Sequence, residues 1–348
     1  MTREHSKKTE KEMNYGICLM RLLFVFLVVC FHFHANWDYY PPVYIFLREM
    51  TVPIFLLIAF YLGEPVITGR DGSKKLSRMK RLFIPYLFWG VAAWVFTYGM
   101  QHLLHIKDGA SVSDLLWQLM LGCVEKVDPP LYFLWQVMLY TLVFFLLYKL
   151  INKYAASVML LAVACVCLWI QYDGRATLFF KTFRYEIMYA IGRIYELVPY
   201  AIFGLAIAVF GVDALLKKRR TVSAVALTVI VPLCLYFRDE IFERPEQTLA
   251  FSGVSLFVVS PLLFLWLLIL PFEKLPDFLK KPLKLISDHT LGIFAIHWPM
   301  GKIFDILYEK VTGTSYTLTE CFVIFLISFA ISYIIGKLPG RFPKMLVR

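Results

Sequence analysis

Charge is scarce in this chain. Of its 348 residues, 18% are Asp, Glu, Lys or Arg and 59% are hydrophobic, too little charge to solvate the surface of an ordinary soluble enzyme. Cysteine lacks paired spacing: Cys18, Cys30, Cys123, Cys165, Cys167, Cys234 and Cys321 fall mostly inside apolar windows. That argues against a zinc site or a disulfide framework and for small core residues. A Gly-x-Ser-x-Gly elbow is missing, which removes the Ser/His/Asp hydrolases. Neither a Gly-rich phosphate loop nor a metal-spaced His/Cys cluster is present, so no metal is expected. Without an internal repeat, a low-complexity tract or a second soluble domain, a membrane sensor would have nothing to carry its output. The polar start, MTREHSKKTEKEMNYG, leads into an apolar run with no small-residue cleavage site, which reads as an uncleaved first span.

What is present is length in hydrophobic windows. The mean hydropathy is +0.66, and stretches of roughly 20 apolar residues, enough to cross a bilayer as a helix, recur along the whole sequence. A barrel would show short alternating segments instead. The pattern predicts an all-α integral membrane protein, a bundle of about ten transmembrane helices. They fall at 16–35, 42–62, 82–103, 130–149, 155–172, 188–211, 222–237, 249–270, 291–308 and 317–336. Residues 1–15 and 337–348 are tails outside a 16–336 membrane domain. The net charge of +11 comes from short basic clusters between apolar runs. With both termini cytosolic, the inner segments hold 24 Lys and Arg and the outer ones 8, as the positive-inside rule requires. The stretch 111–127, polar at its ends, is expected to lie along the outer interface.

Ionisable groups inside the first span carry the chemistry. Arg21 and His32 are eleven residues apart, almost three complete helical turns, so they share one face about 16 Å apart along the axis. His34 falls roughly 200° further round and leaves that face. A charge in the bilayer is costly, which turns Arg21 toward the bundle interior, whereas a neutral histidine is tolerated there and can accept a proton. A snorkelling arginine and an interfacial histidine are the bland alternative.

RLLFVFLVVCFH resembles the Arg, ten residues, His signature of acyltransferase family 3, bacterial membrane enzymes that acylate sugars and polysaccharides. Four further stretches are similar to family motifs, in the family's order. They are REMTVPIFLLIAFYL with Arg48 and Pro53, the basic loop and Ile-Pro-Tyr segment with Arg78, Arg81, Pro85 and Tyr86, PPLYFLW at 129–135, and ISDHTLGIFAIHWP with Gly292, Ile293 and His297. The chain departs from the pattern at Ala59-Phe60, where the family has Ser-Gly, and at Pro130, Tyr132 and Thr290-Leu291. These departures resemble the branch acting on secreted polysaccharides such as the intercellular adhesin.

The resemblance implies transfer of an acyl group, most often acetyl from acetyl-CoA, to a sugar hydroxyl of a cell-surface polysaccharide or lipid-linked sugar, in a bacterial cytoplasmic membrane. In that reading His32 is the general base or a transient acyl carrier. Arg21 holds phosphate or carbonyl oxygen. Arg78, Lys80 and Arg81 contact the donor's phosphates if they do not simply face solvent and lipid headgroups. Arg48 and Glu49 open the second span, where Glu49 either orients His32 or pairs at the interface. His297 is assigned to the donor site, and His34, His102, His105 and His289 to interfaces or loops. The rival from another class is a polysaccharide exporter without acyl transfer, which calls for broken helices along a polar passage.

Overall fold

The structure is a computed structural model describing residues 13–33, 47, 49–104, 111–122, 127, 129–173, 192–236, 254–312 and 318–348. Every regular element among them is helical. In chain order they are α1 (Tyr15–Phe33), α2 (Thr51–Ile67), α3 (Gly72–Leu104), α4 (Val112–Leu121), α5 (Tyr132–Leu150), α6 (Lys153–Asp173), α7 (Arg193–Val209), α8 (Val212–Lys218), α9 (Arg220–Tyr236), α10 (Val254–Ile269), α11 (Asp277–Asp288), α12 (Thr290–Thr312), α13 (Leu318–Lys337) and α14 (Arg341–Val347). A helix lies at each of the ten predicted spans. Five of them, α1, α3, α5, α6 and α13, are long and apolar enough to cross a membrane, and α7 with α8 makes a sixth, bent by 54°. The apolar helices α2, α9 and α10 are shorter.

Two kinds of apolar surface distinguish the bundle from a soluble fold. Inside, α1 and α2 bury most of their length, with Met20, Val25, Val29, Ile54, Leu56 and Leu57 all 0% exposed. Outside, Leu142, Leu146, Val158, Val166, Val225, Val229 and Leu326 stand exposed on the perimeter helices, a belt that only lipid would cover. The most extensive helix pairing is α2 with α7. A Cβ on Gly204 would sit 2.4 Å from the Leu57 carbonyl oxygen, so the absence of a side chain there lets the two backbones meet, as small residues do in membrane helix pairs.

Two segments expected on the inner side differ from their expected form. The loop 271–290 is largely the helix α11, packed along α1 with Leu283 and Ser287 buried. The C-terminal tail folds back as α14. Its Leu346 and Val347 are buried, and Leu346 O accepts the indole N–H of Trp89 at 2.9 Å. Within the 111–127 stretch, Val112–Leu121 form α4, capped by a reciprocal Ser111–Asp114 box that satisfies two otherwise orphaned N–H groups.

Candidate active site

His32 occupies the last turn of α1 in a nest of rings. Its imidazole centroid lies 5.3 Å from that of His297 and 5.3 Å from the Trp298 ring, edge-on to the latter. Phe33 packs against the same two residues. His32 and His297 stand 265 positions apart, and the packing of α1 on α12 brings them together. His297 is 0% exposed. Its Nδ1 lies 2.5 Å from the Phe294 carbonyl oxygen, an atom that can only accept, so Nδ1 carries the hydrogen. That tautomer leaves Nε2 as a lone-pair acceptor, and Nε2 has no hydrogen-bond partner among the described residues.

Arg21, three turns back along α1, stands where two cavities meet. A polar vestibule of about 890 Å³ is lined by Asn14, Lys217, Arg220, Lys280, Glu273 and their neighbours, and includes Arg21, Ser287 and Asp288. A narrower cavity of about 480 Å³ shares those last three residues and is otherwise mostly apolar, lined by Phe55, Ile58, Ala59, Phe133, Val137 and Phe294, with Arg348 also on its wall. The carboxylate of Asp288 faces the Arg21 charge and also bridges Lys284 at 2.6 Å. The apolar cavity ends on a run of rings. Phe55 touches Phe133, Phe133 touches Phe294, and Phe294 lies 5.8 Å from the His297 ring.

The vestibule's acids are already engaged. Glu64 pairs with Lys153 at 2.6 Å, and Asp213 accepts from the Tyr61 hydroxyl at 2.9 Å and faces Lys217. Glu273 takes both arms of Arg220, which holds its carboxyl below the usual range. Arg220 Nε also donates to Ile269 O at 2.6 Å, closing the end of α10.

The other expected residues are placed as follows. Arg78 Nη2 donates to Ala59 O at 3.1 Å, and its guanidinium lies against Gly63, where a Cβ would come within 2.7 Å of it. That close approach falls one turn after Ala59-Phe60, at Gly63. This makes Arg78 a clamp between α2 and α3 at the back of the apolar cavity's Ala59 wall. Lys80 and Arg81 are exposed and line neither cavity. Glu49 is half-buried and faces the buried Tyr200 hydroxyl. His102 is exposed against Tyr98. His289 is the turn residue between α11 and α12, fully buried, bonded to Leu285 O and packed on Phe329 and Tyr333 of α13. Arg48, His34 and His105 lie outside the described residues.

Several polar residues went unread in the sequence. Ser287 and Asp288 end what looked like a solvated loop, although the spacing of Leu279, Leu283 and Ile286 is that of an amphipathic helix. Arg193 and Glu196 lie within the sixth predicted span, and an opposite-charge pair three residues apart in an apolar run was the available signal. Among the described residues no three His, Cys, Asp or Glu side chains converge as metal ligands.

The vestibule and the apolar cavity share Arg21, Ser287 and Asp288, and Phe294 on the apolar wall packs against the His297 ring. The model of acyltransferase family 3, described as an acyltransferase domain, matches residues 14–337. No curated protein and no solved structure matches the chain. With nearly the whole helical bundle inside that match, the chain belongs to acyltransferase family 3 and is a membrane acyltransferase.

Proposed function

We propose that the protein moves an acetyl group from acetyl-CoA to a hydroxyl of a cell-surface polysaccharide or lipid-linked sugar. We place it in a bacterial cytoplasmic membrane with ten crossings and both termini inside. The observation that carries this reading is the pair of cavities joined at Arg21, one polar and one apolar, with His32 and His297 beyond the apolar end. The nucleotide and phosphates of the donor belong in the vestibule, beside Lys217, Lys280 and Arg21, and its flexible thioester arm in the apolar cavity. The three turns between Arg21 and His32 favour the phosphate side for Arg21 over the reacting carbonyl.

The chemistry then runs as follows. His32 takes the proton of the acceptor hydroxyl as the oxygen attacks the thioester carbonyl carbon. The tetrahedral intermediate collapses with loss of the CoA thiolate, and the imidazolium returns the proton to sulfur, so the products are the ester and free CoA. His297, held by Phe294 O in one tautomer, packs against His32 and keeps its ring in place.

The exporter reading has one observation in its favour, the 54° break between α7 and α8. However, α8 is a seven-residue basic helix whose Asp213 and Lys217 line the vestibule, which fits a donor mouth better than a broken transport helix. One experiment separates the two. His32→Ala is expected to leave the glycan at the cell surface stripped of acyl esters, with CoA release by purified protein down by about 10²–10⁴-fold. Lost export with esters retained would establish the transporter instead.

A further inference from the structure

Two helices carry a polar ladder that the first-span chemistry does not use. On α5, Tyr132, Gln136 and Tyr140 recur every four residues; on α7, Arg193, Glu196 and Tyr200 recur at three and four. Each set forms one stripe along its helix. The stripes face each other, since the Arg193 guanidinium lies 5.6 Å over the Tyr132 ring and the Tyr140 hydroxyl donates to Ile194 O at 3.2 Å. Both are deeply buried, with Gln136 and Glu196 0% exposed and Tyr200 1%.

Two members of the ladder, Gln136 and Glu196, are under-satisfied for a purely structural device. Arg193 reaches Glu196 only at 3.6 Å, longer than a good hydrogen bond. Both carboxylate oxygens of Glu196, and both the oxygen and the nitrogen of the Gln136 amide, lack hydrogen-bond partners among the described residues. Polar groups left so in a dry core lose their hydration with nothing in exchange. The ion pair does not tie two helices together either, because both residues belong to α7. Apolar residues would pack that space at lower cost. Carboxylate, amide and guanidinium set among three tyrosine rings match a sugar, whose hydroxyls both donate and accept and whose C–H faces lie on aromatic rings.

Its position agrees. The apolar cavity takes Phe133, Leu134 and Val137 from α5, and the ladder takes the neighbouring face of that helix, about 100° round. At the first turn of α5 Tyr132 and Phe133 begin the two faces, and before that turn Val127 O accepts the Trp298 indole N–H at 3.0 Å, with Trp298 edge-on to His32.

We propose that the α5–α7 ladder is the acceptor site: it seats a polyhydroxylated sugar, Glu196 and Gln136 bond its hydroxyls, and the tyrosine rings hold its apolar faces. This rests on the acyl-transfer reading, for which it supplies the second substrate's seat. In the test, full-length protein in detergent is titrated calorimetrically with pentamers of glucose and of N-acetylglucosamine, and separately with acetyl-CoA. Wild-type protein is expected to bind at least one pentamer. Glu196→Gln and Gln136→Leu weaken that binding by about tenfold or more, Glu196→Asp recovers part of it, and acetyl-CoA affinity stays unchanged throughout. Wild-type protein that binds neither pentamer, unchanged pentamer affinity in both variants, or an equal loss of acetyl-CoA binding overturns the proposal. A pentamer that binds through these residues yet is never acylated when acetyl-CoA is present supports the site and counts against the transfer reading instead.

Discussion

At the scale of single residues, a carbonyl oxygen sets the protonation pattern of the site. Phe294 O commits the hydrogen of His297 to Nδ1 and so fixes the ring that packs against His32; replacing that imidazole should disturb His32 without disturbing the donor. His297→Phe, close in volume and aromatic, is expected to lower kcat for acyl transfer by about tenfold or more while leaving acetyl-CoA affinity in place; an equal loss in both would mark His297 as a donor contact. Gly63 is the second residue on which placement depends, because the Arg78 guanidinium fills the space of its missing side chain. Gly63→Val forces that group out and breaks its bond to Ala59 O. The expected loss is about 1–3 kcal/mol of stability, read as a lower Tm in detergent, and Arg78→Ala should lower Tm with Gly63 intact.

At the scale of elements, the proposed chemistry makes α1 a spacer between Arg21 and His32. Inserting one alanine between Phe26 and Leu27 turns His32 by about 100° relative to Arg21. Activity should vanish even where the protein inserts and elutes normally, and an active insertion variant would show that the two residues act independently. The joint between α9 and α10 offers a pH test. Arg220 holds the Glu273 carboxyl below its ordinary value of 4.5, so the pair's contribution is complete above about pH 4.5 and fades as pH falls through the lower folded value. Arg220→Gln should lower Tm at pH 7, by a shift equivalent to about 1 kcal/mol or less given the pair's exposure. The gap should narrow below pH 4, where the bond to Ile269 O alone remains. Elements also explain what was hard to read: α11 reads as a loop because five of its twelve residues are Lys or Asp and Pro282 interrupts it. Its helical form comes from packing Leu283 and Ser287 onto α1, a contact between distant segments.

At the scale of the molecule, the excess of Lys and Arg in the segments expected to be inner predicts a bundle with both termini cytosolic. A single cysteine at position 76, in the basic stretch before the third predicted span, is therefore expected to resist a membrane-impermeant thiol reagent in whole cells, and one at position 112, at the start of α4, to react. The opposite result would invert the topology. Hydropathy and the eleven-residue interval determined much by themselves: the helical class, the positions of the apolar helices, and the shared face of Arg21 and His32, because these depend on neighbours along one helix. Only the tertiary structure brought His297 to His32, set Arg21 between two cavities, docked Arg348 on the wall of one, and aligned Tyr132, Gln136 and Tyr140 with Arg193, Glu196 and Tyr200. Those relations join residues tens to hundreds of positions apart, and helix packing creates them; no local periodicity records which faces will meet.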